Sequence, residues 1–347
     1  MKAAALGGLL FALAWAGISC GGENAGSGGT GMGGATSSAA SSTGMGTGGV
    51  GTTSSGGTGG TGGGCGEGSC PGLLLASGEF QPFAIAVDVN SVYYTTSGAV
   101  KKVPLAGGAP VTIASDQSLP SGIAAFGESV YWTVTYDMAL RVAPIGGGPS
   151  TTLASGQVQP VGIAVDATDV YWATSTPAGS VMRAPKGGGT AMELAGAQVF
   201  PYAMAIDATG VYWVNDDAAG VVMKMPKAGG APVPLTGKLD QPHGIAVDAS
   251  NVYWVEQGGG NVGSVPIAGG ATKTLAAGQS TPFAVVTDGV SVYWTNYGNG
   301  TVMKVPVAGG APSVLASGIG GPKGIAVDGG FVYVAAFDGG QVIRIAK

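Results

Sequence analysis

From residue 82 onward, short apolar runs alternate with clusters of Gly, Pro, Asp and Asn. The runs are rich in Ile, Val, Tyr and Trp and only four to six residues long, which predicts strands joined by tight turns. No stretch keeps a 3.6-residue period, because Pro or Gly interrupts every candidate helix. The pattern also repeats. A proline opens each unit at Pro82, Pro120, Pro160, Pro201, Pro242, Pro282 and Pro322, in steps of 38 to 41 residues. Each unit reads Pro-x-Gly-Ile-Ala-Val-Asp, then x-Val-Tyr-Trp, a variable Gly-containing stretch, Val-Met-Lys-Val-Pro, a Gly-Gly pair and a short Leu-Ala-Ser-Gly segment.

Four short strands per unit make an antiparallel meander. One such sheet is too small to bury both of its faces, so copies must stack, and radial stacking gives an all-β, seven-bladed β-propeller of four-stranded antiparallel blades. The chain ends support closure of the ring. The last unit supplies three strands and stops at Lys347, whereas Leu73-Leu74-Leu75-Ala76-Ser77-Gly78 matches the fourth-strand segment Val314-Leu315-Ala316-Ser317-Gly318 but precedes the first repeat. The N-terminal strand is therefore expected to complete the last blade, three strands plus one, covering an edge otherwise left unpaired.

The amino end follows a different pattern. Met1-Lys2 leads into an apolar run over residues 3–18, too short for a comfortable membrane span and suited to the core of a secretory signal. Its end, Ala16-Gly17-Ile18-Ser19-Cys20, resembles the lipobox of bacterial lipoproteins, although Gly17 stands where that family usually has Leu, Val or Ile. The resemblance implies a signal peptide at 1–19 and lipidation of Cys20, with ordinary secretion as the alternative. Residues 21–64 are mostly Gly, Ser and Thr with no aromatic residue, and cannot bury enough apolar surface to offset ordering entropy, so 20–71 reads as an anchor plus a disordered linker and 72–347 as the propeller. In an oxidising compartment Cys65 and Cys70 are expected to form a small disulfide loop.

Charge and composition narrow the chemistry. A formal net charge of -5 gives no footprint for nucleic acid or anionic lipid, and a single histidine, His243, with three scattered cysteines cannot build a His-rich or Cys-rich metal site. No cofactor and no metal are expected.

Val292-Tyr293-Trp294-Thr295-Asn296, with Gly300-Thr301-Val302-Met303-Lys304-Val305 and Gly324-Ile325-Ala326-Val327-Asp328, resembles the YWTD and NHL class of β-propeller repeat. That class implies the propeller fold but hosts receptors, scaffolds, sensors and a few enzymes, so it does not assign an activity. YWTD propellers usually have six blades, and the Asp that ends the family motif is absent after the aromatic pair here, so a specific receptor function does not carry over.

Comparing the repeats separates folding from recognition. Residues kept in nearly every blade serve the fold: the Asp ending the first strand (Asp88, Asp166, Asp207, Asp248, Asp288, Asp328, replaced by Phe126 in one blade), the hairpin Gly-Gly pairs, and the Tyr-Trp pair that fills the wedge between blades. Variation concentrates in two connections that a four-stranded meander places on one face. These carry Phe83, Tyr202, His243, Phe283 and Lys323 directly after the recurring Pro, and Tyr136, Asp216, Asp217, Glu256, Tyr297 and Phe337 between second and third strands. Aromatics mixed with charges at a channel mouth suit a sugar, peptide or small polar ligand. The leading expectation is a non-catalytic binding or scaffold module of the bacterial cell envelope, outer-membrane-anchored by lipid alone and monomeric, whose partner is an envelope protein, peptide or glycan. Two alternatives stand beside it: a lyase-type propeller enzyme using His243 and Glu256, and a purely architectural protein.

Overall fold

The computed structural model of the chain describes residues 72–347, which form a seven-bladed β-propeller of 28 strands in seven four-stranded antiparallel sheets. Blades 1 to 6 occupy residues 85–114, 120–154, 160–198, 201–234, 242–276 and 282–316. Blade 7 combines Pro322–Val327, Phe331–Ala336 and Gln341–Ala346 with the N-terminal strand Gly72–Ser77, which pairs antiparallel with the last strand so that Leu73 lies opposite Arg344. Cys20, Cys65 and Cys70, with the expected signal, linker and disulfide, lie outside the described residues.

The wedge between blades is built as the alternation of side chains requires. In the second strand Asn251–Glu256, Val252 and Trp254 point to one side and Tyr253 to the other. Tyr253 of blade 5 then packs on Val292 and Trp294 of blade 6, as Tyr212 of blade 4 packs on Val252 and Trp254 of blade 5. These rings are at most 3% exposed, and each such burial contributes on the order of 3 kcal/mol. Burying a tyrosine leaves a hydroxyl to satisfy. Asp248 does so, its Oδ2 accepting from Tyr253 Oη at 2.6 Å while Oδ1 accepts the turn amides of Ser250 and Asn251 at 2.7 and 2.8 Å. The same arrangement recurs at Asp88, Asp166, Asp207, Asp288 and Asp328.

The first strands of successive blades lie side by side around the axis, including blade 7 against blade 1. They converge so tightly that a Cβ on Gly122, Gly162 or Gly324 would run into the backbone carbonyl of Val161, Tyr202 or Phe83 in the next blade. Each residue before the recurring proline has positive φ, from 47° at Gln159 and Phe200 to 63° at Leu119, and only Gly321 is a glycine. A non-glycine there costs on the order of 1 kcal/mol. This kink carries the chain into a bulge at the start of the first strand, and the residue after the proline is aimed over the channel. Farther along the axis the channel is apolar, with a cavity of about 300 Å³ lined by residues such as Val87, Val247, Val286 and Val327.

Candidate functional site

The site forms where two connections of the same blade are held together. The amides of Asp216, Tyr297 and Phe337, between second and third strands, donate to the carbonyls of Phe200, Thr281 and Gly321, the residues before the recurring prolines. Side chains from both connections thereby share the channel mouth. Neighbouring blades are tied there as well: Thr295 of blade 6 donates from Oγ1 to the Lys323 carbonyl of blade 7 at 3.0 Å, and Thr133 of blade 2 to the Val161 carbonyl of blade 3 at 2.7 Å.

Five blades supply one continuous aromatic cluster. Tyr202 stacks on His243 with centroids 4.2 Å apart, His243 meets Phe283 edge-on at 4.3 Å, and Phe283 continues to Phe83 at 5.8 Å and to Tyr297 at 6.4 Å. Phe83 in turn meets Phe337 at 6.2 Å. Lys323 sits among these rings, its Nζ 3.5 Å from the Phe337 centroid and 5.1 to 5.3 Å from those of Tyr297, Phe83 and Phe283. A buried ammonium against ring faces gains cation–π attraction but loses hydration. Lys323 is only 5% exposed, and burial pushes its pKa down to about 8 even though the Asp338 carboxylate opposes the shift. Burial, then the same carboxylate, raises the Tyr297 hydroxyl.

On the other side of Phe283, His243 Nδ1 lies 2.8 Å from Asp216 Oδ2. With the carboxylate accepting a hydrogen bond from Nδ1–H, Nε2 of a neutral ring is left as an acceptor. Nε2 is buried and makes no hydrogen bond among the described residues. Tyr202 is partly buried in the same cluster, and desolvation raises its hydroxyl well above the ordinary tyrosine range, with the Asp216 charge adding to the effect.

Of the residues singled out in the sequence, Phe83, Tyr202, Asp216, His243, Phe283, Tyr297, Lys323 and Phe337 meet in this cluster. Tyr136 is 75% exposed and makes no ring contact with them, and Asp217 is an exposed turn residue. Glu256 is drawn into its own blade, where its carboxylate accepts from Trp254 Nε1 at 3.3 Å and from the Asp240 amide at 3.2 Å, so His243 has Asp216 rather than Glu256 as its carboxylate partner. Asp338 joins the site through its effect on Lys323 and Tyr297. Its place directly after Phe337 in the same connection is the sequence signal for it. Among the described residues no group of three or more His, Cys, Asp or Glu is arranged to hold a metal ion, and no helix is long and apolar enough to cross a membrane.

No protein-family model and no curated protein matches the sequence. Solved propellers do resemble the structure. A virginiamycin B lyase from Staphylococcus aureus is 15% identical with a TM-score of 0.68, over 79% of this chain and 98% of that one. A streptogramin B lyase is 14% identical with a TM-score of 0.68, over 79% and 95%. A chain of the nidogen/laminin complex is 23% identical with a TM-score of 0.53, over 65% and 89%. At these identities the likeness shows the fold alone, and the chain is a β-propeller repeat protein.

Proposed function

We propose that this chain is an exported propeller, lipid-anchored through Cys20 to the bacterial outer membrane by a long linker, that binds an envelope protein, peptide or glycan at its channel mouth without catalysing a reaction. The observation that carries the reading is the gathering of Tyr202, His243, Phe283, Phe83, Phe337 and Tyr297 from five blades around Lys323, at the position where the repeats differ most. The partly exposed rings of Phe83, Tyr202, Tyr297 and Phe337 offer stacking surfaces for sugar rings or apolar side chains, and Asp216 and Asp338 offer charged groups for orientation, while His243, Phe283 and Lys323, at most 9% exposed, support them. A ring of rigid blades spends little conformational entropy in presenting them. The similar propeller of the nidogen/laminin complex is one that engages a protein. The lyase-type alternative has weaker support, because Glu256 is engaged by Trp254 and Asp240 and His243 is the only histidine.

The test is an affinity screen of the exported protein against peptidoglycan fragments, glycans and solubilised envelope proteins, repeated with the Phe283→Ala/Phe337→Ala variant. The variant is expected to weaken a specific binder by roughly tenfold or more. Binding that survives this double truncation of a folded protein refutes the channel mouth as the recognition surface.

A further inference from the structure

The face opposite the mouth, where the first strands end, carries a second feature. Its key position directly follows the end of each third strand and is occupied in blades 1 to 7 by Leu105, Ile145, Lys186, Lys227, Ile267, Val307 and Lys347. Each lysine in this set faces the preceding blade. Lys227 Nζ pairs with Asp166 Oδ2 of blade 3 at 2.7 Å, and Lys347 Nζ with Asp288 Oδ2 of blade 6 at 2.7 Å. In both cases the same oxygen also accepts from a tyrosine hydroxyl, Tyr171 at 3.2 Å and Tyr293 at 3.1 Å. In each of these two seams one carboxylate thus joins the ammonium of the next blade to a phenol of its own.

The third lysine, Lys186, faces blade 2, the blade whose first strand ends in Phe126 instead of Asp. Its Nζ lies 4.6 Å from the Phe126 ring centroid, and Lys186 forms no ion pair among the described residues. The tyrosine of the set is retained as Tyr131, 3% exposed. Burial raises its hydroxyl above the ordinary range, although a hydrogen bond with Ser129 opposes this, so it remains a protonated donor.

The same seam lacks a second tie. In blades 1, 3, 4 and 7 a cation of the third strand, Lys102, Arg183, Lys224 or Arg344, reaches across to a backbone carbonyl of the next blade, namely Ile145, Lys227, Ile267 or Leu105. In blade 2 the equivalent position is Val142, too short and without a donor. The seam between blades 5 and 6 also lacks both, with Val307 and Ser264 at the two positions, but there Lys273 Nζ reaches the Ala308 carbonyl at 2.6 Å. Between blades 2 and 3 lies a cleft of about 510 Å³, lined by Ser129, Tyr131, Val142, Thr151, Thr152 and Lys186 among others. That volume is within the range of small-molecule sites.

We propose that the seam between blades 2 and 3 binds a small organic carboxylate, whose carboxyl group takes between Lys186 and Tyr131 the place that an aspartate side chain takes in the sister seams. Charge-assisted bonds from an ammonium and a phenol hold the carboxylate, and the hydroxyl of Thr151, which shares a sheet face with Val142 and Tyr131, with the apolar side of Val142 receives the body of the ligand. The site is independent of the channel mouth and does not rest on the function proposed for it.

Titration of the full chain with N-acetylglycine and with glucuronate, followed by ligand-observed NMR, tests this, with the neutral N-acetylglycinamide as control. Carboxylates are expected to bind and the amide not to. Lys186→Met should weaken binding by roughly tenfold or more. Phe126→Asp places the missing carboxylate within the chain and should abolish binding, whereas Phe126→Ala, which removes the ring without adding a charge, should retain it. Absence of carboxylate binding at tens of millimolar, equal binding of the amide, or unchanged affinity in folded Phe126→Asp protein each overturns the proposal.

Discussion

Replacing Lys323 by Met keeps an unbranched side chain among the four rings and removes its charge. The pKa of Lys323 is about 8 in the folded protein against 10.5 for an ordinary lysine, so below pH 8 the folded state carries an ammonium that the unfolded chain accommodates better by about 3 kcal/mol. Between the two values the unfolded chain binds more protons than the folded one, and stability rises with pH. From pH 7 to about 9.5 this group alone should add about 2 kcal/mol to the wild type, and the onset of unfolded-state tyrosine ionisation at the upper end is common to both proteins and cancels in the comparison. Urea unfolding of both proteins across this range is the assay. The wild type should gain that amount relative to Lys323→Met, which should be at least as stable at pH 7 because thioether contacts with the rings replace the cation–π contacts. Parallel profiles for the two proteins would refute the account of Lys323 as a desolvated, ring-enclosed cation.

Two further outcomes follow from the seams. Gly162→Val drives a side chain into the Tyr202 carbonyl where first strands converge, and should lower stability by about 3 kcal/mol or prevent ring closure, read by thermal unfolding; Gly78→Ala, with nothing near its Cβ, serves as a milder control limited to backbone strain. Burial works against Asp166 and Asp288, yet the Lys227 and Lys347 ammoniums and the turn amides hold both carboxyls well below the usual carboxylate range. Their contribution is therefore complete above the unfolded value near 4 and is lost as pH falls through the folded values, and Asp166→Asn should remove about 1 kcal/mol of acid-sensitive stability, measured as a shallower loss of stability below pH 4.

The scaffold was legible because every blade restates it. Regular proline spacing, the Tyr-Trp wedge and the turn aspartates each answer a need that every seam has, and the displaced Leu-rich segment pointed to the completed seventh blade. The channel mouth was legible only as a set of variable positions. Which of them meet depends on the positive-φ kink before each proline, which is carried by Gln81, Leu119, Phe200 and Thr281, residues with no special preference for it. Glu256 illustrates the remaining difficulty. In blades 2, 3, 4 and 6 a glutamine fifteen residues before the tryptophan, Gln117, Gln157, Gln198 or Gln279, accepts from its indole N–H. Blade 5 has Leu239 at that offset, and Glu256 takes over the acceptor role for Trp254. The substitution is visible in the sequence, but its meaning needs the distance between the two positions in space.

The pairing of Leu73 with Arg344 also shapes how the molecule can fold and unfold. Every other blade can assemble from neighbouring sequence, but the seventh must wait until the two ends of the described chain have found each other, and the entropy of closing so large a loop falls on that single step. Until then the six preceding sheets form an open arc with an adhesive margin at each end, vulnerable to joining a second arc. Once the clasp is made, load applied through the amino-terminal segment is borne first by this outermost strand, which makes it the molecule's mechanical fuse.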